Sequence, residues 1–251
     1  MSMRIIRSKD PQTLGTTAGN AAAALIKTAI REKGSANIIL ATGTSQFETI
    51  RQLIDAGIDW SKVNMFHLDE YIGLPVTHPA SFRKYLRERF LEKVTPLKAT
   101  YLINGETDPA AEIERLNAII TAHPIDVALV GIGENAHLAF NDPPADFNTT
   151  KPYIVVNLDT ACRQQQTNEG WFASISDVPL QAISMSVHQI MLSKHIICSV
   201  PGERKAQAVK DSLEQPVSNL FPASILQTHA DCVFYLDEAS AAKLERAPVK
   251  Q

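Results

Sequence analysis

ANIILATGTSQFETIRQLIDA, residues Ala36 to Ala56, opens with a continuous apolar run, turns through Thr42, Gly43, Thr44 and Ser45, and goes on with apolar residues at helical spacing. An apolar run without alternation suits a strand buried on both faces, and the period that follows suits an amphipathic helix. A buried strand that feeds a helix is the building unit of a parallel sheet covered on both sides.

The same unit recurs outward from this stretch. Upstream, Pro11 to Lys33 is Ala-rich with helical spacing and ends at Gly34, as a helix with a C-terminal glycine does. Downstream, VNMFHL (Val63 to Leu68) reads as a strand, and a helix follows His78 and Pro79 in ASFRKYLRERFLEKV. Asp108 caps the next helix, PAAEIERLNAIITAH, and IDVALVG (Ile125 to Gly131) is another buried strand. After KPYIVVNL come a helix near Ser186 to Leu192, the strand HIICSV, the helix ERKAQAVKDSLE and the strand DCVFYLD. Alternating strands and helices predict an α/β fold: a Rossmann-like, mainly parallel sheet with helices on both faces. With 251 residues, 45% of them hydrophobic, and no repeat or linker, a single domain over 1–251 is expected.

Composition narrows the function. The net charge of −3 comes from interspersed charges, and no run of Lys or Arg forms a footprint for nucleic acid or an anionic membrane. Cys162, Cys198 and Cys232 are odd in number and widely spaced, which fits free thiols in a reducing compartment. The start, MSMRIIRSKD, lacks the apolar core of a signal peptide, and no apolar segment is long enough to span a bilayer. A cytoplasmic location is the expectation.

Parallel α/β sheets bind ligands beyond the carboxyl ends of their strands, so four strand-end motifs carry the search. In ATGTSQ (Ala41 to Gln46), free N–H groups, a helix N-terminus and the hydroxyls of Thr42, Thr44 and Ser45 around Gly43 can cradle a phosphate. An ordinary capped βα turn has the same residues. In FHLDEYIGLP, adjacent side chains on an extended segment point opposite ways, so one of Asp69 and Glu70 faces the crevice while the other pairs with structure. A carboxylate at the mouth of an apolar strand gains a raised pKa and becomes a competent base; most loop acids, however, only cap or pair. His67 has no second His or Cys at zinc spacing, so no metal is expected.

The third motif, GIGENAHLAFNDPPADF (Gly131 to Phe147), is too rich in Gly, Asn and Pro for a helix. It offers His137 as acid and base, with Asn135 or Asp142 to hold the imidazole and fix its tautomer. A turn whose Asn and Asp merely satisfy backbone groups is the plainer account. In VPGERKAQAVKDSLE, Arg204 and Lys205 stand at a helix start, where cations oppose the dipole unless an anion lies between them. A solvent-facing pair on an amphipathic helix is the commoner case.

Together these motifs resemble the glucosamine-6-phosphate deaminase (isomerase) family, which shares its fold with sugar-phosphate isomerases and 6-phosphogluconolactonases. The likeness runs from ATGTS through HLDEYIGLP with HPASF, GIGENAHLAFNDP, the DVP segment after Asp177 and GERKA to PASILQTHAD. It implies conversion of glucosamine 6-phosphate and water into fructose 6-phosphate and ammonia, without metal or organic cofactor. By the same likeness Asp69 moves the proton between carbons 2 and 1, and His137, flanked by Asn135 and Asp142, opens the ring. Thr42 to Ser45 and Lys205 hold the phosphate, with Glu70 and Arg204 as further substrate-binding candidates. A small amino-sugar phosphate is the implied partner, and a homo-oligomer is compatible with it.

Departures from the family pattern are specific. Ala136 stands where relatives usually have glycine, and Asp142 where they usually have glutamate, so the shorter acid has to approach His137 more closely or act through water. Relatives carry T-R-x-A-N-x-R-[FY] after the loop; here CRQQQTNEGWF supplies Arg163 but no second arginine, and Arg204 is the candidate substitute. The chain ends soon after Leu244, without the longer tail of regulated hexameric members, so no activation of that kind is expected. Alternatives are a galactosamine 6-phosphate substrate, lactone hydrolysis of the 6-phosphogluconolactonase type, and a non-catalytic sugar-phosphate sensor.

Overall fold

A computed structural model describes Met3 to Glu245. The elements run β1 (Arg4–Ser8), α1 (Pro11–Lys33), β2 (Ala36–Leu40), α2 (Phe47–Asp55), β3 (Val63–His67), β4 (Asp69–Tyr71), α3 (Phe82–Arg89), β5 (Ala99–Tyr101), α4 (Pro109–Thr121) and β6 (Val127–Val130). They continue with β7 (Tyr153–Asn157), α5 (Thr160–Asn168), β8 (Gln181–Met185), α6 (Val187–Met191), β9 (His195–Val200), α7 (Ala206–Glu214) and β10 (Cys232–Asp237). The expectations about a leader and a C-terminal tail rest partly on residues outside this described range.

The central sheet has the order β1-β10-β9-β6-β2-β3-β5 and is parallel throughout. Its strands alternate between two cores. Ile39, Phe66 and Ala128 face one core, shared with Leu116 of α4, Ile190 of α6 and Val209 of α7. Ile38, Leu40, Met65 and Leu129 face the other, covered by Ile26 of α1, Leu53 of α2 and Leu86 of α3. Both faces of the inner strands are thus dry, which is why these strands read as unbroken apolar runs. Two glycines let α1 and α2 touch: a Cβ on Gly15 would stand 2.2 Å from Glu48 Cβ, and one on Gly19 would stand 2.7 Å from Gln52 Cβ.

A second sheet, β4-β8-β7, is antiparallel and was not anticipated from sequence. The chain leaves β3 at His67, and Leu68 alone separates it from β4. DEY, read as the mouth of a strand, is itself a short strand of the other sheet. The helix expected over ASFRKYLRERFLEKV is shorter at both ends: Ser81 caps it, and at Phe90 the backbone leaves helical geometry.

The order of the central sheet reverses between β2 and β6. From β2 the chain builds outward through β3 and β5, then returns to build the other half from β6. The loops that leave β2 and β6 therefore diverge, opening the crevice where such folds bind ligands.

Candidate active site

Around that crevice a pocket is lined by Thr42, Gly43, Thr44 and Ser45 after β2, by Asp69 on β4, by Gly131, Gly133 and His137 after β6, and by Lys205 after β9. Three of the four strand-end motifs thus converge with the start of β4. A larger cavity of about 1490 Å³, between α4, β7 and the segment 141–151, is lined by Asp142 but by none of these groups. The smaller pocket is where a carboxyl, an imidazole and an ammonium group meet.

The two acids separate cleanly. Glu70 is buried, and its oxygens accept from Ser81 Oγ (2.9 Å) and from the N–H groups of Tyr71, Phe82 and Arg83 (3.0, 3.2 and 2.8 Å), with Arg83 Nε at 3.4 Å. It caps the start of α3 and does not line the pocket, which corrects its inclusion among substrate-binding candidates. Asp69 lines the pocket, and burial, followed by the neighbouring Glu70 charge, pushes its carboxyl up to about 8. His67, one residue upstream of Leu68, is fully buried; Nδ1 accepts from Ile103 N at 3.3 Å, and burial followed by the Arg83 charge pulls the ring down to about 3, so it stays neutral.

His137 sits on a loop whose backbone is bent to hold it. Ala136 and Ala139 have φ of 66° and 54°, a conformation that costs an L-residue about 1–2 kcal/mol and that glycine would adopt freely. The ring packs against Gly133, where a Cβ would lie 2.2 Å from Cε1 and Nε2. Asn141 Nδ2 ties the loop to the second sheet by donating to Met185 O at 2.8 Å.

Asp142 reaches the imidazole directly, with Oδ1 3.0 Å from Nδ1, a distance within hydrogen-bond reach although the alignment falls short. Such loose geometry is common before substrate binds. Burial alone raises the Asp142 carboxyl, but hydrogen bonding and charge from His137, the Asn135 amide and the Asp159 N–H outweigh it and hold the group below its ordinary value. Asn135 does not hold the ring: Oδ1 accepts from His137 N at 3.2 Å, while Nδ2 donates to Asp142 and Asp159 at 3.0 and 3.1 Å.

Two turns of the same design lie around the end of the pocket that holds Lys205. Gly43 (φ 94°) and Gly202 (φ 96°) each start a 3₁₀ turn, Thr44–Gln46 and Glu203–Lys205, that leads into a helix. Lys205 is buried in the pocket, and burial lowers its pKa against the pull of Glu169 and Glu134. Arg204 points away; its side chain is 59% exposed, lies 3.6 Å from Glu134 Oε1, and is not among the lining groups, which corrects its proposed role.

Sequence reasoning missed the wall formed by α5. Gln165, Gln166 and Glu169 line the pocket, and Glu169 accepts from Gln165 Nε2, Trp171 Nε1 and Thr44 Oγ1 (2.8, 3.2 and 3.4 Å). It also missed Cys162, whose thiol joins His137 and Asp142 within 4.8 Å, the one such trio of metal-capable side chains among the described residues. Burial and then the charges of Asp142 and Asp159 raise that thiol well above its ordinary value, so it sits there as a protonated donor to Asp142.

A family model described as glucosamine-6-phosphate isomerases/6-phosphogluconolactonase matches residues 9–235. The chain belongs to this family. Within it, a glucosamine-6-phosphate deaminase of Streptococcus equi subsp. zooepidemicus is 38% identical over 244 residues, covering 97% of this chain and all of the relative. A solved monomeric glucosamine-6-phosphate deaminase superposes with a TM-score of 0.87 at 32% identity, over 96% of this chain and 99% of that one. A 6-phosphogluconolactonase structure from Neisseria gonorrhoeae has a TM-score of 0.75 at 21% identity, over 94% and 100% of the two chains, and shows the shared fold alone. Among the described residues no helix is long and apolar enough to cross a membrane.

Proposed function

We propose that the chain is a single-domain enzyme that converts glucosamine 6-phosphate and water into fructose 6-phosphate and ammonia. The observation that carries this reading is Asp69, a buried carboxyl raised to about 8 in the same pocket as His137 and Lys205. A base of that strength suits removal of a proton from carbon near neutral pH. Lactone hydrolysis and mere sensing ask for no such base and leave Asp69 unexplained.

The steps follow from position. Asp142 faces Nδ1 of His137, which leaves Nε2 to take the proton of the anomeric hydroxyl and pass it to the ring oxygen as the bond from carbon 1 to that oxygen breaks, so the pyranose opens. Asp69 then takes the proton from carbon 2 and delivers it to carbon 1, while a proton passes from the amino nitrogen to the carbon-1 oxygen, which turns the 2-amino aldose into the 2-imine of the ketose. Water adds to the imine, and ammonia leaves with fructose 6-phosphate. The turn Thr42 to Ser45 and Lys205 hold the phosphate, so binding energy from the far end positions carbon 2 over Asp69. Full-length similarity to named deaminases supports the same substrate. Free, buried cysteines support a cytoplasmic setting.

The test is ammonia release from purified protein given glucosamine 6-phosphate, with galactosamine 6-phosphate and Asp69→Asn run in parallel. Release that falls at least about a thousandfold in the variant is expected, as for loss of a general base. Undiminished release by Asp69→Asn, or none by the wild type, would sink the reading.

A further inference from the structure

One wall of the pocket has no part in the proton transfers or in phosphate binding. It is α5, which contributes Gln165 and Gln166, with Glu169 just beyond its end. Gln165 is committed to the protein: Oε1 accepts from Glu134 N at 2.9 Å, and Nε2 donates to Glu169 at 2.8 Å. Glu169 is committed to Gln165, Trp171 and Thr44.

Gln166 differs from both. The residue is only 6% exposed, it lines the pocket, and among the described residues its side-chain amide makes no hydrogen bond. A primary amide offers two donors and two acceptor lone pairs, and groups of this kind are bonded when they are buried in a folded protein. An amide on a residue that lines the pocket, with no hydrogen bond to the protein, is available to a ligand there.

We propose that Gln166 binds the hydroxyls of the sugar chain between its two anchored ends, and so is a specificity-determining residue for hexosamine phosphates. This rests on the functional reading above. With the phosphate at Thr42 to Ser45 and Lys205, and carbon 2 at Asp69, the hydroxyls on carbons 3 to 5 lie between these anchors. An amide donates to one hydroxyl while accepting from its neighbour, and it leaves the phosphate alone.

Gln166→Leu removes the amide at nearly constant volume, and Gln166→Met keeps the unbranched stem in case the branched one packs badly. For each we would measure KM and kcat for glucosamine 6-phosphate, competitive inhibition by inorganic phosphate, and the melting temperature. KM is expected to rise about tenfold or more, as when two neutral hydrogen bonds are lost, while the inhibition constant of phosphate stays within about twofold and the melting temperature holds. An unchanged KM in a folded variant overturns the proposal. So does a parallel rise in KM and in the phosphate constant, which would mark a distorted pocket. A wild type that releases no ammonia defeats the functional reading instead; calorimetric binding of glucitol 6-phosphate against inorganic phosphate then still decides the role of Gln166.

Discussion

Replacing Asp69 by Asn should stabilise the protein while it abolishes turnover. The fold raises this carboxyl from 3.8 to about 8, so it disfavours the ionised form. The resulting penalty is absent below the unfolded value, grows as pH rises from about 4 to about 8, and is complete above that. Asparagine carries no such penalty. The variant should therefore melt higher than wild type above pH 8, by a few kcal/mol, with the gain fading towards pH 4. Calorimetric melting across this range checks it, and a constant difference at every pH would show that Asp69 ionises without strain. Glu70 beside it is also pushed up by burial, and hydrogen bonds from the Arg83, Tyr71 and Phe82 N–H groups and the Ser81 hydroxyl offset that only in part. Sequence could say that the two acids part ways, but only the path through Leu68 into β4 says which of them meets the crevice.

At the scale of elements, the anchoring of α3 to β4 by Glu70 is the contact most exposed to test. Glu70→Ala strips the acceptor from Ser81, Phe82 and Arg83 and leaves Arg83 short of a buried counter-charge. A loss of about 3–5 kcal/mol is expected on denaturant unfolding, in line with breaking a buried ion pair from one side; a loss under about 1 kcal/mol would assign the anchor to Glu106, the other partner of Arg83. The parallel strands were legible because burial on both faces writes an unbroken apolar run. The second sheet was not: β4 is three residues long and mostly polar, and β7 alternates buried and open positions. Nor was the α5 wall, since Gln165, Gln166 and Glu169 stand in no strand-end motif. Arg204 and Lys205 were legible as a pair, yet the phase of one 3₁₀ turn buries the second and exposes the first.

For the whole molecule, the pocket draws on segments from residue 41 to residue 205, reaching it from both halves of the central sheet. A ligand that ties those halves together binds the native state and has no site in the unfolded chain. Fructose 6-phosphate at a hundred times its dissociation constant should add about 2.7 kcal/mol, a rise of several degrees in melting temperature. An unshifted melting curve at that concentration would mean that the segments do not bind as one site.

The carboxyl at the crevice also has a consequence for proton traffic with the solvent. Burial and the neighbouring Glu70 charge favour the protonated form of Asp69 in the empty pocket. An amino sugar arriving as its ammonium form favours the carboxylate and drives that proton out into the buffer, whereas fructose 6-phosphate, which has no amine, leaves it in place. Calorimetric titration in two buffers of unequal ionisation heat should therefore give different apparent enthalpies for the amino sugar and equal ones for the ketose. The enzyme would acidify its surroundings slightly each time it accepts a substrate, and take the proton back once the amine has left.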